Sequence, residues 1–124
     1  MSTASPPAAT SANANPAEGE FQGVPASRGQ ATGPARILRG PEDIGLLRPG
    51  DILVCAMATP AWTPALAVAA GVIAETGGSL SSLAIAAREQ GVPAVVAVKN
   101  ASTRMRDGQV VRIDGAGGIV CLQV

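Results

Sequence analysis

The chain has 124 residues, enough for one small domain, and nine basic and nine acidic residues cancel to a formal net charge of zero. Eight of the nine bases are arginines, scattered from Arg28 to Arg112, and the only aromatics are Phe21 and Trp62. A basic stripe interleaved with stacking rings is therefore absent, and nucleic-acid binding is unsupported.

Residues 2–17 use only Ser, Thr, Ala, Pro and Asn, and such a stretch has nothing with which to build a core. Residues 1–20 are expected to be a disordered tail, either a passive solubilising extension or a docking segment. They lack the basic and apolar regions of a secretory signal and the arginines of a transit peptide. The longest apolar run, near residues 65–74, is too short to span a bilayer. The expectation is a cytoplasmic protein with no membrane partner.

The folded part is expected to begin near Phe21, with a turn-rich stretch punctuated by Gly23, Gly29 and Gly33 and by Pro25 and Pro34. A short strand follows at 35–38, and a helical turn at 41–47 opens on Pro41 with Glu42 and Asp43 behind it. After the Pro49-Gly50 turn, residues 51–56 read as a buried strand. Pro60 leads into a short helix ending near Gly71, and residues 71–74 form a second buried strand. Gly77-Gly78 breaks the chain before a helix at 81–90, which Gly91 and Pro93 stop. A strand at 94–98, a turn at 100–105 and two strands at 109–114 and 118–122 complete a compact α/β domain of about 100 residues.

Cys55 and Cys121 fall inside strand-like runs. A disulfide is open on the sequence, but two buried thiols are the expectation, and Cys55 reads better as a packed thiol than as a reactive one. Without histidine or a close cysteine pair, no metal site is expected. Trp62 fits either a docking contact or a cover for the core edge.

The segment from Thr76 to Ser82 carries the most chemistry. A helix N-terminus offers unpaired N–H groups and partial positive charge, and Gly77-Gly78 lets an anion approach the backbone. Thr76, Ser79, Ser81 and Ser82 supply hydroxyls. On spacing alone, a tight turn with a serine N-cap explains the same residues.

The wider pattern is more specific. Thr76, Gly77, Gly78, Ser81, Ala84, Ile85, Ala87, Arg88, Glu89, Gly91, Pro93, Ala94 and Val95 spell TGGxxSxxAIxARExGxPAV. This resembles the signature of the phosphohistidine swivelling domain, the mobile domain of PEP-utilising enzymes. That family includes phosphoenolpyruvate synthase, pyruvate phosphate dikinase, rifampin phosphotransferase and phenylphosphate synthase subunits. The likeness extends through Phe21-x-Gly23, Ala26-Ser27-x-Gly29, Gly33-x-Ala35-Arg36, the Pro49–Val54 run PGDILV and Thr59-Pro60-x-Trp62. Asn100-Ala101, Asp107-Gly108-Gln109 and Asp114-Gly115-x-x-Gly118 carry it over about residues 21–124.

The resemblance implies a compact three-layer β/β/α swivelling domain, with a phosphate site at Thr76, Gly77, Gly78 and Ser81. Arg88 is implied to help hold that segment; pairing with Glu89 or with a helix C-terminal carbonyl explains it equally well. Two departures stand out. The family places histidine directly after the motif serine, where this chain has Ser82 followed by Leu83, and Arg28 stands where many relatives have proline.

The first departure changes the chemistry. Imidazole is partly neutral near pH 7 and nucleophilic without a separate base. A serine hydroxyl needs one, and its phosphate ester is a poor onward donor. The nearest carboxylates in sequence are Glu75 and Glu89. Phosphohistidine relay by this chain alone is excluded, because it contains no histidine.

Three readings follow. The first is a stand-alone, non-phosphorylatable accessory or regulatory subunit docked on an ATP-grasp-type or other enzyme partner, with no cofactor of its own. The second is an active phosphotransferase subunit in which Ser82 accepts phosphate or shapes a site, with ATP or phosphoenolpyruvate and Mg held by a partner. The third is an anion-binding module built on residues 77–82, which a β-branched residue at Gly78 should disable. Leu83 is expected to crowd a histidine introduced at position 82.

Overall fold

The computed structural model describes residues 19–123. The expectation of a tail thus falls mostly outside the described residues, and at its inner edge Glu20 already belongs to a strand. Among these residues there are eight strands: β1 Glu20–Gln22, β2 Val24–Ser27, β3 Gln30–Ile37, β4 Ile52–Cys55, β5 Gly71–Ala74, β6 Ala94–Val96, β7 Val110–Asp114 and β8 Ile119–Leu122. Two 3₁₀ segments, Pro41–Leu46 and Pro60–Ala67, and two α-helices, α1 Ser82–Gln90 and α2 Ala101–Arg104, connect them.

The strands form one continuous ladder in the order β1-β8-β7-β3-β4-β5-β6-β2. Strands β3 to β6 are parallel, whereas β1, β8, β7 and the first half of β3 pair antiparallel, as does β2 with β6. β3 serves both halves: residues 30–34 pair with β7 and residues 35–37 with β4. The change of partner falls after Pro34, which has no N–H to give to a ladder.

The expected turn-rich stretch at 23–34 is therefore extended. Its prolines are the reason it reads as turns, and each sits where a strand tolerates one. Pro25 lies on the edge strand β2 beside an irregularity in register. Gly33 allows the close approach of the Gly50 carbonyl, which a Cβ would meet directly.

Alternation along the parallel strands makes three layers. Ile52, Val54, Ile73 and Val95 face one way and pack with Phe21, Val111, Ile113 and Val120 of the antiparallel layer. Leu53, Cys55, Val72, Ala74, Ala94 and Val96 face the other way, against Trp62, Leu66, Leu83, Ala84 and Ala87 of the helical layer. This is the expected β/β/α arrangement. Trp62, 3% exposed, covers the helical-side core.

Asp51 is buried and joins three segments. Its carboxylate accepts from the Arg48 amide at 2.9 Å and from Arg36 Nε at 3.3 Å, and Arg36 Nη1 reaches Asp107 at 3.2 Å. The PGD turn is thereby tied to β3 and to the turn before β7. Cys55 and Cys121 are both free, Cys55 buried and Cys121 half-buried.

Candidate functional site

The parallel strand β5 ends at Ala74, and the next seven residues lead to α1 across the edge of the helical layer. Thr76 is held twice by the Ala56 carbonyl, through its amide and its hydroxyl, both at 3.0 Å. Gly77 has φ +110, and a Cβ there would sit 2.7 Å from Ala58 Cβ, so this position needs glycine for both backbone and space. Gly78 differs: a Cβ would meet nothing within 4 Å. A side chain at Gly78 leaves the fold intact and only obstructs approach to the loop.

Ser81 is the N-cap of α1, with an extended backbone and Oγ accepting the Ala84 amide at 3.4 Å. Ser82 is then the first helical residue and is exposed. At the other end Gly91 adopts φ 72, and the amides of Gly91 and Val92 return to the Ala87 and Arg88 carbonyls. The sequence signals for this helix were thus complete at both ends.

Arg88 resolves an open alternative. Its Nη1 donates to the Ser79 carbonyl and to the Ala26 carbonyl, both at 2.7 Å, so it engages neither Glu89 nor the end of its own helix. A helical side chain leans toward the N-terminus, which is how residue 88 reaches the loop before residue 82. Arg88→Ala is expected to loosen the 79–82 loop by about 1 kcal/mol, read as roughly fivefold faster amide exchange at Ser81 and Ala84. Arg88→Lys should rescue part of the loss, since both bonds leave the single atom Nη1 and an ammonium also carries several donors.

The structure brings Thr76, Gly77, Gly78, Ser81 and Ser82 into one loop and helix turn, with Arg88 behind it. Thr76 is less free than a phosphate ligand should be, because its hydroxyl proton is already directed at Ala56. Neither nearby carboxylate serves Ser82. Glu75 accepts from the Ser102 amide at 2.7 Å and the Ser102 hydroxyl at 2.6 Å, which ties the loop to α2. Nothing in the sequence signals that pairing across 27 positions. Glu89 lies seven residues along α1 from Ser82, about 10 Å along the axis. Among the described residues, no hydrogen bond joins Ser82 Oγ to a carboxylate.

Cys55 ends the central strand just below this loop. Burial, then the charge of Glu75, push its thiol from 9.0 up to about 12. A thiol held protonated this firmly is no nucleophile. In the native protein at pH 8, thiol reagents should modify Cys121 and leave Cys55 untouched until unfolding. The raised value also sets a pH dependence. The contribution of Cys55 to stability is fully present below about pH 9, where both states hold the proton. It is lost progressively as pH rises from 9 toward about 12, because only the unfolded chain ionises. Denaturant midpoints measured across that range should fall less steeply in Cys55→Ala.

A cavity of about 600 Å³ at Arg104, Arg106, Asp107, Gln109 and Leu122 lies apart from the Ser82 loop. Arg104 there stacks 3.9 Å from the Phe21 ring centroid and donates to the Lys99 carbonyl, which gives it a packing role. Groups of three or more metal-ligating side chains are absent among the described residues, and no helix there is long and apolar enough to cross a membrane.

Comparison with known proteins matches this geometry to a family. An uncharacterized phosphotransferase of Bacillus subtilis is 46% identical over 101 residues, 82% of this chain and 12% of that protein. A rifampicin phosphotransferase of Bacillus cereus is 43% identical over 98 residues, 79% of this chain and 11% of that one. The chain therefore spans about an eighth of the length of these relatives. The solution structure of an Enzyme I (nEIt) protein matches with a TM-score of 0.57 and 29% identity, over 65% of this chain and 34% of that one. Residues 47–118, more than half the chain, match the family described as PEP-utilising enzyme, mobile domain, and the chain belongs to that family.

Proposed function

We propose that this swivelling domain is a non-phosphorylatable accessory or regulatory unit, with Ser82 standing at the position where the family carries its phosphoryl-accepting histidine. The single observation that carries the reading is the isolation of Ser82. Its hydroxyl is exposed at the start of α1, Glu75 is committed to Ser102, and Glu89 is two turns away. A serine without a base is a poor nucleophile, and no histidine elsewhere in the chain replaces it.

The surface around Ser82 supports docking. Leu80 is 81% exposed and Ile85, one turn beyond Ser82 on the same helix face, is 40% exposed. Met57, 60% exposed, belongs to the segment that runs beside Thr76 and Gly77. Apolar side chains left bare around a family site are what a partner surface covers. The partner expected is an enzyme subunit of the ATP-grasp type, which would hold ATP or phosphoenolpyruvate with Mg; this chain holds none of them in the proposed role. A cytoplasmic location is part of the same proposal.

The second reading, a working phosphotransferase unit with Ser82 as acceptor or site-shaping residue, draws on the same exposure at a helix N-terminus. One experiment separates the two. The chain is incubated with the ATP-binding portion of a family relative, Mg and labelled ATP, and its intact mass is measured. An unchanged mass in a complex that still forms supports the accessory role. A phosphoryl group on Ser82 supports the alternative and refutes the proposal.

A further inference from the structure

A second polar cleft lies beside α1, where Arg88 meets the end of β2. Ser27, at the end of β2, is 4% exposed, and its hydroxyl makes no hydrogen bond among the described residues. A buried hydroxyl without a partner is costly and calls for an explanation. Ser27 lines two cavities, of about 370 and 200 Å³, and both are also lined by Arg28 and Arg88. Gly91 borders the first, and Pro25, Gly115 and Ala116 border the second.

The positive charge here has no ion-pair partner among the described residues. Both ion pairs among the described residues belong to Arg36, so neither Arg28 nor Arg88 has a carboxylate partner there. Arg88 spends Nη1 on the Ala26 and Ser79 carbonyls, which leaves Nε and Nη2 without described acceptors. The acid nearest in the bordering turn, Asp114, directs Oδ1 to the amides of Ala116 and Gly117. The end of α1 contributes about half a negative charge, against two full positive charges, and its Ala87 and Arg88 carbonyls are already capped.

We propose that this cleft binds a phosphate-sized oxyanion, either inorganic phosphate or the phosphate group of a small phosphomonoester. The Arg28 guanidinium and the free edge of Arg88 pair with its oxygens, and the Ser27 hydroxyl, without a partner among the described residues, donates to it as well. Arginine forks suit this class of ligand, which accepts several charge-assisted hydrogen bonds at once. The cleft adjoins the 79–82 loop through the Arg88 bond to the Ser79 carbonyl, but it needs no nucleophile at Ser82, so it stands or falls separately from the accessory role.

The test is an amide NMR titration of the full chain at constant ionic strength, with inorganic phosphate, glycerol phosphate and acetate in separate arms. Saturable shifts are expected at Ser27, Arg28, Gly29, Gly91 and Gly115, weakened about tenfold or more by Arg28→Ala and several-fold by Ser27→Ala. Arg28 is exposed, and the Ser27 hydroxyl has no partner among the described residues, so both variants should keep the wild-type spectrum elsewhere. Tighter saturation by glycerol phosphate or by inorganic phosphate supports the site and names the source. Acetate binding as tightly as phosphate, shifts unaffected by Arg28→Ala, or shifts confined to residues 77–82 would overturn it.

Discussion

Leu83→Ala is expected to lower the unfolding free energy by about 3 kcal/mol. Leu83 is fully buried and belongs to the core between the parallel sheet and the helical layer, with Leu53, Trp62 and Val72. Helix α1 is only nine residues long, so it is held by this face and not by its own propensity. A truncation here removes apolar contact and leaves a cavity that the close-packed alanines around it cannot fill. Urea unfolding of the two proteins reads the loss directly, and a difference below about 1 kcal/mol would show that Leu83 is not a core anchor. The same burial corrects the expectation that Leu83 crowds residue 82. It points into the core, whereas Ser82 is exposed.

Ser82→His alone is therefore expected to turn an inert chain into one that accepts one phosphoryl group from the ATP-binding portion of a family relative. The new imidazole would sit at the first position of α1, where the backbone N–H groups and partial positive charge favour the neutral, nucleophilic ring. No partner base is required, and the residues that shape the loop are unchanged. Labelled transfer to Ser82→His, absent from wild type and labile to acid, is the predicted result. The double variant Ser82→His with Leu83→Ala should do no better and should be less stable. Transfer seen only in the double variant would restore the crowding argument.

Much of the fold was legible because its signals are local. Ser81 as N-cap and Gly91 with Pro93 as a stop fix α1 within one residue, and the apolar runs at 52–55, 71–74 and 94–96 are buried on both faces as continuous strands must be. The stretch at 23–34 was misread because its glycines and prolines serve close approach and a change of strand partner, both set by distant residues such as Gly50 and Val110. The loop at 76–82 was visible from its pattern. The Glu75–Ser102 bond and the reach of Arg88 to Ala26 were not, since each joins residues far apart in sequence. They matter most to the proposed function: one engages the carboxylate next to the loop, and the other ties the Arg88 side chain that also holds Ser79 to β2.

The accessory role requires Ser82 to remain unmodified while the domain stays docked. The most direct measurement is mass spectrometry of the Ser82-bearing peptide after tagged capture of the chain, with its bound partners, from the native cell. The predicted result is a stoichiometric enzyme partner and a peptide free of phosphate. Phosphate on Ser82 in the captured complex would contradict the account and make this an altered but working phosphotransfer unit.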